Sequence, residues 1–185
     1  AVVLDNWVPE ASKVSLRKGF ASHATGVGSG DVETVIEFHS GGTSKLIAAG
    51  GGALYDATAE GAASSLATGL SNDRWQGFNF AGKLALMNGA DAPKTFDGSS
   101  VAGMTVSGTG LTTSHLIGGG AYKARTFFFE KSDGTNPRAF WYSGVNTLGG
   151  TLTKFALDTV VQTGGHIVAM EAWSRDGGAG PDDFL

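Results

Sequence analysis

The chain has 185 residues, the length of one domain or two small ones, and Leu, Ile, Val and Phe supply 42 of them, enough for a packed core. No apolar run approaches the ~20 residues that span a bilayer as a helix, so no membrane insertion by this chain is expected. The absence of Cys excludes disulfides, thiolate metal sites and a Cys nucleophile, and a net charge of −4 argues against electrostatic retention of nucleic acid.

Glycine accounts for 30 residues while only 16% are charged, which points to many tight turns and few solvated helices. Residues 1–30 lack a clear strand pattern and read as an extended arm, with Gly26-Val-Gly-Ser-Gly30 as a flexible link. From residue 31 to 185 a β-rich domain is expected. Val32–Phe38 alternates, with Thr34, Ile36 and Phe38 opposite Glu33, Val35 and Glu37. Lys45–Ala49 and Ala53–Tyr55 flank Gly50–Gly52, a strand–turn–strand pattern. The Ala-rich stretch Ala57–Ala67 is the best helix candidate, weakened by Gly61 and by Ser64–Ser65. Trp75–Phe80, Leu84–Met87, Lys94–Asp97, Ala124–Glu130, Arg138–Ser143 and His166–Trp173 read as further strands.

One unit recurs: an apolar strand, a glycine-containing turn, then a strand with an aromatic residue. Its copies start at Leu46, Leu84 and Thr126, which are 38 and 42 residues apart. A period near 40 with several strands per unit is the signature of propeller blades. The expected fold is therefore all-β with propeller-like blades, an incomplete propeller, and a plain β-sandwich with similar hairpins as the alternative. Asp183-Phe184-Leu185 reads as the start of a strand, so a longer β-protein is expected to continue beyond it.

Motifs for chemistry are sparse. Gly77-Phe-Asn-Phe-Ala-Gly-Lys-Leu84 falls one residue short of a phosphate-binding loop, because Leu84 stands where the magnesium-binding hydroxyl is needed; a hairpin turn fits better. Gly177-Gly-Ala-Gly-Pro-Asp-Asp-Phe-Leu185 matches a single calcium-type nonapeptide, for which Asp176, Asp182 and Asp183 are the candidate ligands. Such sites need adjacent copies, so a solvated loop competes with this reading. The four histidines are scattered without metal-ligand spacing. No nucleophile elbow or metalloprotease motif is present, so no enzyme activity and no cofactor are expected. The Trp residues with Phe127–Phe129 and Phe140–Tyr142 could line a sugar platform, but large aromatics more simply fill cores and subunit interfaces.

Six segments then run in a familiar order. They are Leu4-Asp-Asn-Trp-Val-Pro9, Val14-Ser-Leu-Arg-Lys-Gly-Phe20, Asp73-Arg-Trp75 with Phe78-Asn-Phe80, and Asn88-Gly-Ala-Asp-Ala-Pro93 with Phe96-Asp-Gly98. Trp141-Tyr-Ser-Gly-Val-Asn146 follows, then Gly164-Gly-His-Ile-Val-Ala-Met-Glu-Ala-Trp173 with Gly178-Ala-Gly-Pro-Asp-Asp183. Across nearly the whole chain this pattern resembles tail proteins of tailed bacteriophages, of the nozzle or tail-tubular type at the head-to-tail junction. The resemblance carries no catalytic residue. It implies a virion protein, assembled in the host cytoplasm, that forms a homo-oligomeric ring against other tail, adaptor or portal proteins. Double-stranded DNA would pass it without specific binding. Interface candidates are Trp7, Arg17, Phe20, Trp75, Trp141, Tyr142 and Trp173, with the arm reaching a neighbour. The alternative function is a carbohydrate-binding, receptor-recognising tail module.

Overall fold

The computed structural model describes residues 7–17, 19, 21–176 and 181–184, with Trp7, 174–176 and 181–184 described by their backbone alone. The described residues are all-β, with no α-helix and two short 3-10 turns at Thr113–His115 and Leu157–Thr159. β1 (Trp7–Pro9) and β2 (Val14–Leu16) pair as an antiparallel hairpin, and β3 (Ala24–Thr25) follows. The first large sheet comprises β4 (Thr34–Ser40), β5 (Thr43–Ala49), β6 (Ala53–Asp56) and β8 (Ser64–Thr68), while β7 (Gly61–Ala62) turns back to lie parallel to β3. The second sheet is β9 (Gln76–Phe80), β10 (Lys83–Met87), β11 (Lys94–Phe96) and β12 (Val101–Gly103). The third is β14 (Leu116–Tyr122), β15 (Arg125–Glu130), β16 (Ala139–Tyr142) and β17 (Gly150–Ala156), with β13 (Val106–Gly108) added parallel to β17. β18 (Trp173–Asp176) and β19 (Pro181–Phe184) form a last hairpin.

The three large sheets repeat one plan. Each is an antiparallel meander, and their first strands start at Thr34, Gln76 and Leu116, 42 and then 40 residues apart. The repeats read from the sequence fall at one place in this plan, with Leu46 in β5, Leu84 in β10 and Thr126 in β15, the second strand of each sheet. Each first hairpin closes with a two-residue loop whose residues both take positive φ: Gly41–Gly42, Ala81–Gly82 and Lys123–Ala124. This is the mirror-type turn whose twist suits a hairpin. The near phosphate-binding motif is thereby the β9–β10 hairpin.

Two cores hold the sheets face to face. Phe38, Ile47, Leu54, Trp75, Leu84, Leu86 and Phe96 fill the space between the first and second sheets. Ala85, Met87, Leu116, Phe128, Trp141 and Leu152 fill the space between the second and third. β10 is central, and its residues alternate between the two cores, so Leu84–Met87 is apolar throughout and fully buried. Polar clasps bind the first strands together. The Asn79 amide on β9 donates to Glu37 O at 3.0 Å and accepts from His39 N at 3.0 Å, extending its own strand's reach to β4. Asp73 accepts from Gly52 N through both carboxylate oxygens, at 3.1 and 2.9 Å. At the next junction Gly89 N donates to Leu116 O at 2.9 Å.

Three expectations are corrected. Ala57–Ala67 forms no helix; Gly61 sits at φ 101°, outside helical backbone, and the stretch supplies β7 and the edge strand β8. His166–Ala172 is not a strand; it has no cross-strand partner and is tied instead to the segment before β16, with Ile167 N donating to Pro137 O at 3.0 Å. The Gly26–Gly30 stretch is packed rather than a free link: a Cβ on Gly28 would stand 2.4 Å from Gly50 O, a backbone approach that only glycine permits. His23 and β3 also dock on the segment between β6 and β8, β3 pairing with β7 and His23 Nε2 lying 3.1 Å from Ala57 O.

Candidate interface surfaces

Stacking three sheets leaves two outward faces. Cross-strand register assigns the residues on each, because side chains alternate along a strand. On the third sheet Phe127 pairs with Tyr142, Phe129 with Phe140, and Phe140 with Phe155, so all five share the face turned away from Phe128 and Trp141. The rings form a connected array. Phe140 and Phe155 stack with centroids 5.1 Å apart, and Phe127 lies 6.0 Å from Phe140, 6.1 Å from Tyr142 and 6.4 Å from Tyr122. Cations cover its rim: Arg125 sits 5.7 Å from the Tyr142 ring and Lys123 5.1 Å from that of Tyr122.

Glycine makes this surface compact. A Cβ on Gly118 would fall 2.6 Å from Gln76 Oε1 and 2.7 Å from Phe129 Cζ, and one on Gly119 would fall 2.1 Å from Phe127 O. β14 therefore sits closer to β9 and β15 than side chains allow. The connection after β17 crosses part of this face, with Leu157, Ile167, Ala169 and Met170 beside Phe140. Phe155 stays 40% exposed and Trp173 63% exposed beyond it.

The outward face of the first sheet is plainer. Val35 and Glu37 on β4 oppose Ala48 and Leu46 on β5, and Tyr55 opposes Ala48 from β6. Val35 is 58% exposed.

The seven interface candidates separate on this frame. Tyr142 belongs to the aromatic face, and Trp173 and Arg17 are exposed. Trp75 and Trp141 are corrected to core residues: at 4% and 0% exposure they have no surface to offer a partner. Trp141 is fixed further by its indole N–H donating to Thr109 O at 3.3 Å. The Trp7 side chain and Phe20 lie outside the described residues. Phe127, Phe140 and Phe155 belong to the aromatic array that sequence reading did not separate from the core, with Phe155 exposed, Phe140 half-buried and Phe127 buried; the signal was present in the Phe127–Phe129 run, but its facing is fixed only by pairing.

For the calcium candidates, register places Arg175 opposite Asp182, Ser174 opposite Asp183 and Asp176 opposite Pro181. Asp182 and Asp183 are consecutive strand positions, which fall on opposite faces of the hairpin. Their side chains and residues 177–180 lie outside the described residues. Elsewhere among the described residues, no three His, Asp or Glu groups gather to hold a metal ion.

Compared with known proteins, the chain matches no protein-family profile, no curated protein and no solved structure.

Proposed function

We propose that this chain is a structural protein of a tailed-phage virion, a subunit of the tail nozzle or head-to-tail connector in the wall of the DNA ejection conduit. Its three stacked sheets are read as blades of an incomplete propeller. The observation that carries the reading is the stack itself: successive four-stranded meanders meet face to face, and an aromatic sheet face is left outward at one end. The first strands β4, β9 and β14 also converge, since Ile36, Gln76 and Gly119 line one cleft, as inner strands around a common axis would.

Exposed Phe155 and Trp173, beside half-buried Phe140 and Tyr142, favour association over a solitary existence in water. A wall element needs that rigidity and side-to-side contact, and it needs no reacting group. The slightly acidic chain suits a passage that lets DNA slide, because each neutralised phosphate would add salt-dependent affinity. Copies of the chain in a ring, in contact with other tail, adaptor or portal proteins, are the partners this reading requires.

Two measurements test it together: the solution mass of the full-length protein, and mass spectrometry of purified particles. A ring-sized assembly and a peptide signal in the particles are expected. A strictly monomeric protein absent from particles overturns the reading. The exposed Trp173 favours a second reading, a glycan-binding tail module. A broad glycan array with Trp173→Ala as control decides it, and an array without any hit retires it.

A further inference from the structure

Where β16 begins and β17 ends, the third sheet carries a cleft of about 170 Å3 lined by Thr135, Asn136, Pro137, Arg138, Lys154 and Asp158. Arg138 immediately precedes β16, and Lys154 lies on β17 opposite Trp141. Both cations are half-buried, whereas Asp158 is exposed. Lys154 Nζ donates to Asn136 Oδ1 and stands 5.8 Å from the Trp141 ring centroid. Arg138 Nη2 donates to Val161 O.

Every group that engages these two cations is neutral. Among the described residues neither has a carboxylate within ion-pair distance, although Asp158 shares the cleft. Partial burial of a cation without counter-charge is costly, and an anion entering the cleft relieves it. Donors remain for it as well: a guanidinium has five N–H groups and an ammonium three, and one of each is engaged here. A planar fork just before β16 and a point charge on β17, lining one cleft, suit a ligand with several oxygens.

We propose that this cleft binds a phosphate group, with Arg138 as the fork and Lys154 as the second charge. Free inorganic phosphate and a phosphodiester of DNA offer the same chemistry. The proposal does not depend on the virion reading, and its failure would leave that reading intact.

The test is NMR titration of the full chain with inorganic phosphate, and separately with a short DNA duplex. Phosphate should shift the amide signals of residues 135–139 and 154–158. Arg138→Gln with Lys154→Gln should weaken phosphate binding by about tenfold or more, from the loss of two charge-assisted contacts. Arg138→Lys with Lys154→Arg should keep most of the affinity, which separates lost charge from lost folding. Duplex binding that shifts the same signals and weakens with salt assigns the phosphodiester as the source; a response to phosphate alone assigns the free ion. Absence of phosphate shifts, or equal affinity in the Gln variant and the wild type, overturns the proposal.

Discussion

Leu86 and Met87 are consecutive residues of β10, both wholly shielded from solvent, and they belong to different cores. Leu86 packs toward the first sheet and Met87 toward the third. The second sheet is thus buried on both sides, and one strand ties the stack together. Leu86→Ala and Met87→Ala should each cost about 2–5 kcal/mol, the range for emptying a tightly packed site. Urea denaturation checks this, and a loss below about 1 kcal/mol for either would mean that its sheet interface is looser than the burial implies.

The same burial explains what could be read in advance. Val32–Phe38 was legible because β4 has one face on a core and one on solvent, so Ile36 and Phe38 alternate with exposed Val35 and Glu37. Leu84–Met87 showed as a continuous apolar run because β10 has no solvent face. β14 was hidden: Gly118–Gly120 breaks any periodicity, and Gly118 and Gly119 are required by close approach to Phe129, Gln76 and Phe127 O, partners distant in sequence. β17 was hidden too, since only Leu152 on it is buried. The aromatic face and the Arg138–Lys154 cleft escaped because both are products of cross-strand register between β15, β16 and β17. Trp75 and Trp141 were easy to notice and hard to place, since indole size signals burial and interface equally.

Ala124 occupies the second position of the β14–β15 turn at φ 61°, where the first two sheets place Gly42 and Gly82. A Cβ in this left-handed conformation costs about 1 kcal/mol or more, partly offset by glycine's greater freedom in the unfolded chain. Ala124→Gly should therefore stabilise the protein, by up to about 1 kcal/mol. Thermal melting gives the sign directly; a lowered midpoint would show that the Ala124 methyl group contributes packing worth more than the strain.

Glu130 ends β15 at 0% exposure, and its carboxylate accepts Thr112 N at 3.0 Å and Asn136 N at 2.7 Å. It pins two loops to this strand end, where Lys131 N also donates to His115 O at 2.9 Å. Glu130→Ala removes both acceptors and should cost about 2–5 kcal/mol, since each stranded donor carries a desolvation penalty. Glu130→Gln keeps one acceptor oxygen and should cost less. Chemical denaturation of the pair ranks them, and equal losses would show that a single retained acceptor oxygen contributes nothing.

Asp91 closes a clasp between the second sheet and the segment that leads into it. Asn88 Nδ2 donates to Asn72 O and to Asp91 Oδ2, both at 2.7 Å, while Asn72 Nδ2 returns a bond to Asn88 O at 2.9 Å. Ser71 N adds a bond to Asp91 Oδ2 at 2.9 Å. Burial pushes the Asp91 carboxyl up, but the hydrogen bonds from Asn88 and Ser71 outweigh it and hold the group below its ordinary 3.8. Asp56 behaves alike: burial opposes, and Lys45 with Thr58 prevails. Asp97 is lowered chiefly by the backbone N–H groups of Ser100 and Ser99. A carboxylate lowered by folding contributes stability that is fully present above its unfolded value and is lost as pH falls through the folded one. The melting temperature should thus hold from neutral pH down to about 4 and fall below it. In Asp91→Asn, stability at neutral pH should drop and the acid-side decline should become shallower, with the share from Asp56 and Asp97 remaining. Melting curves at stepped pH for the two proteins read this out; parallel declines below pH 4 would show that the clasp does not depend on the Asp91 charge.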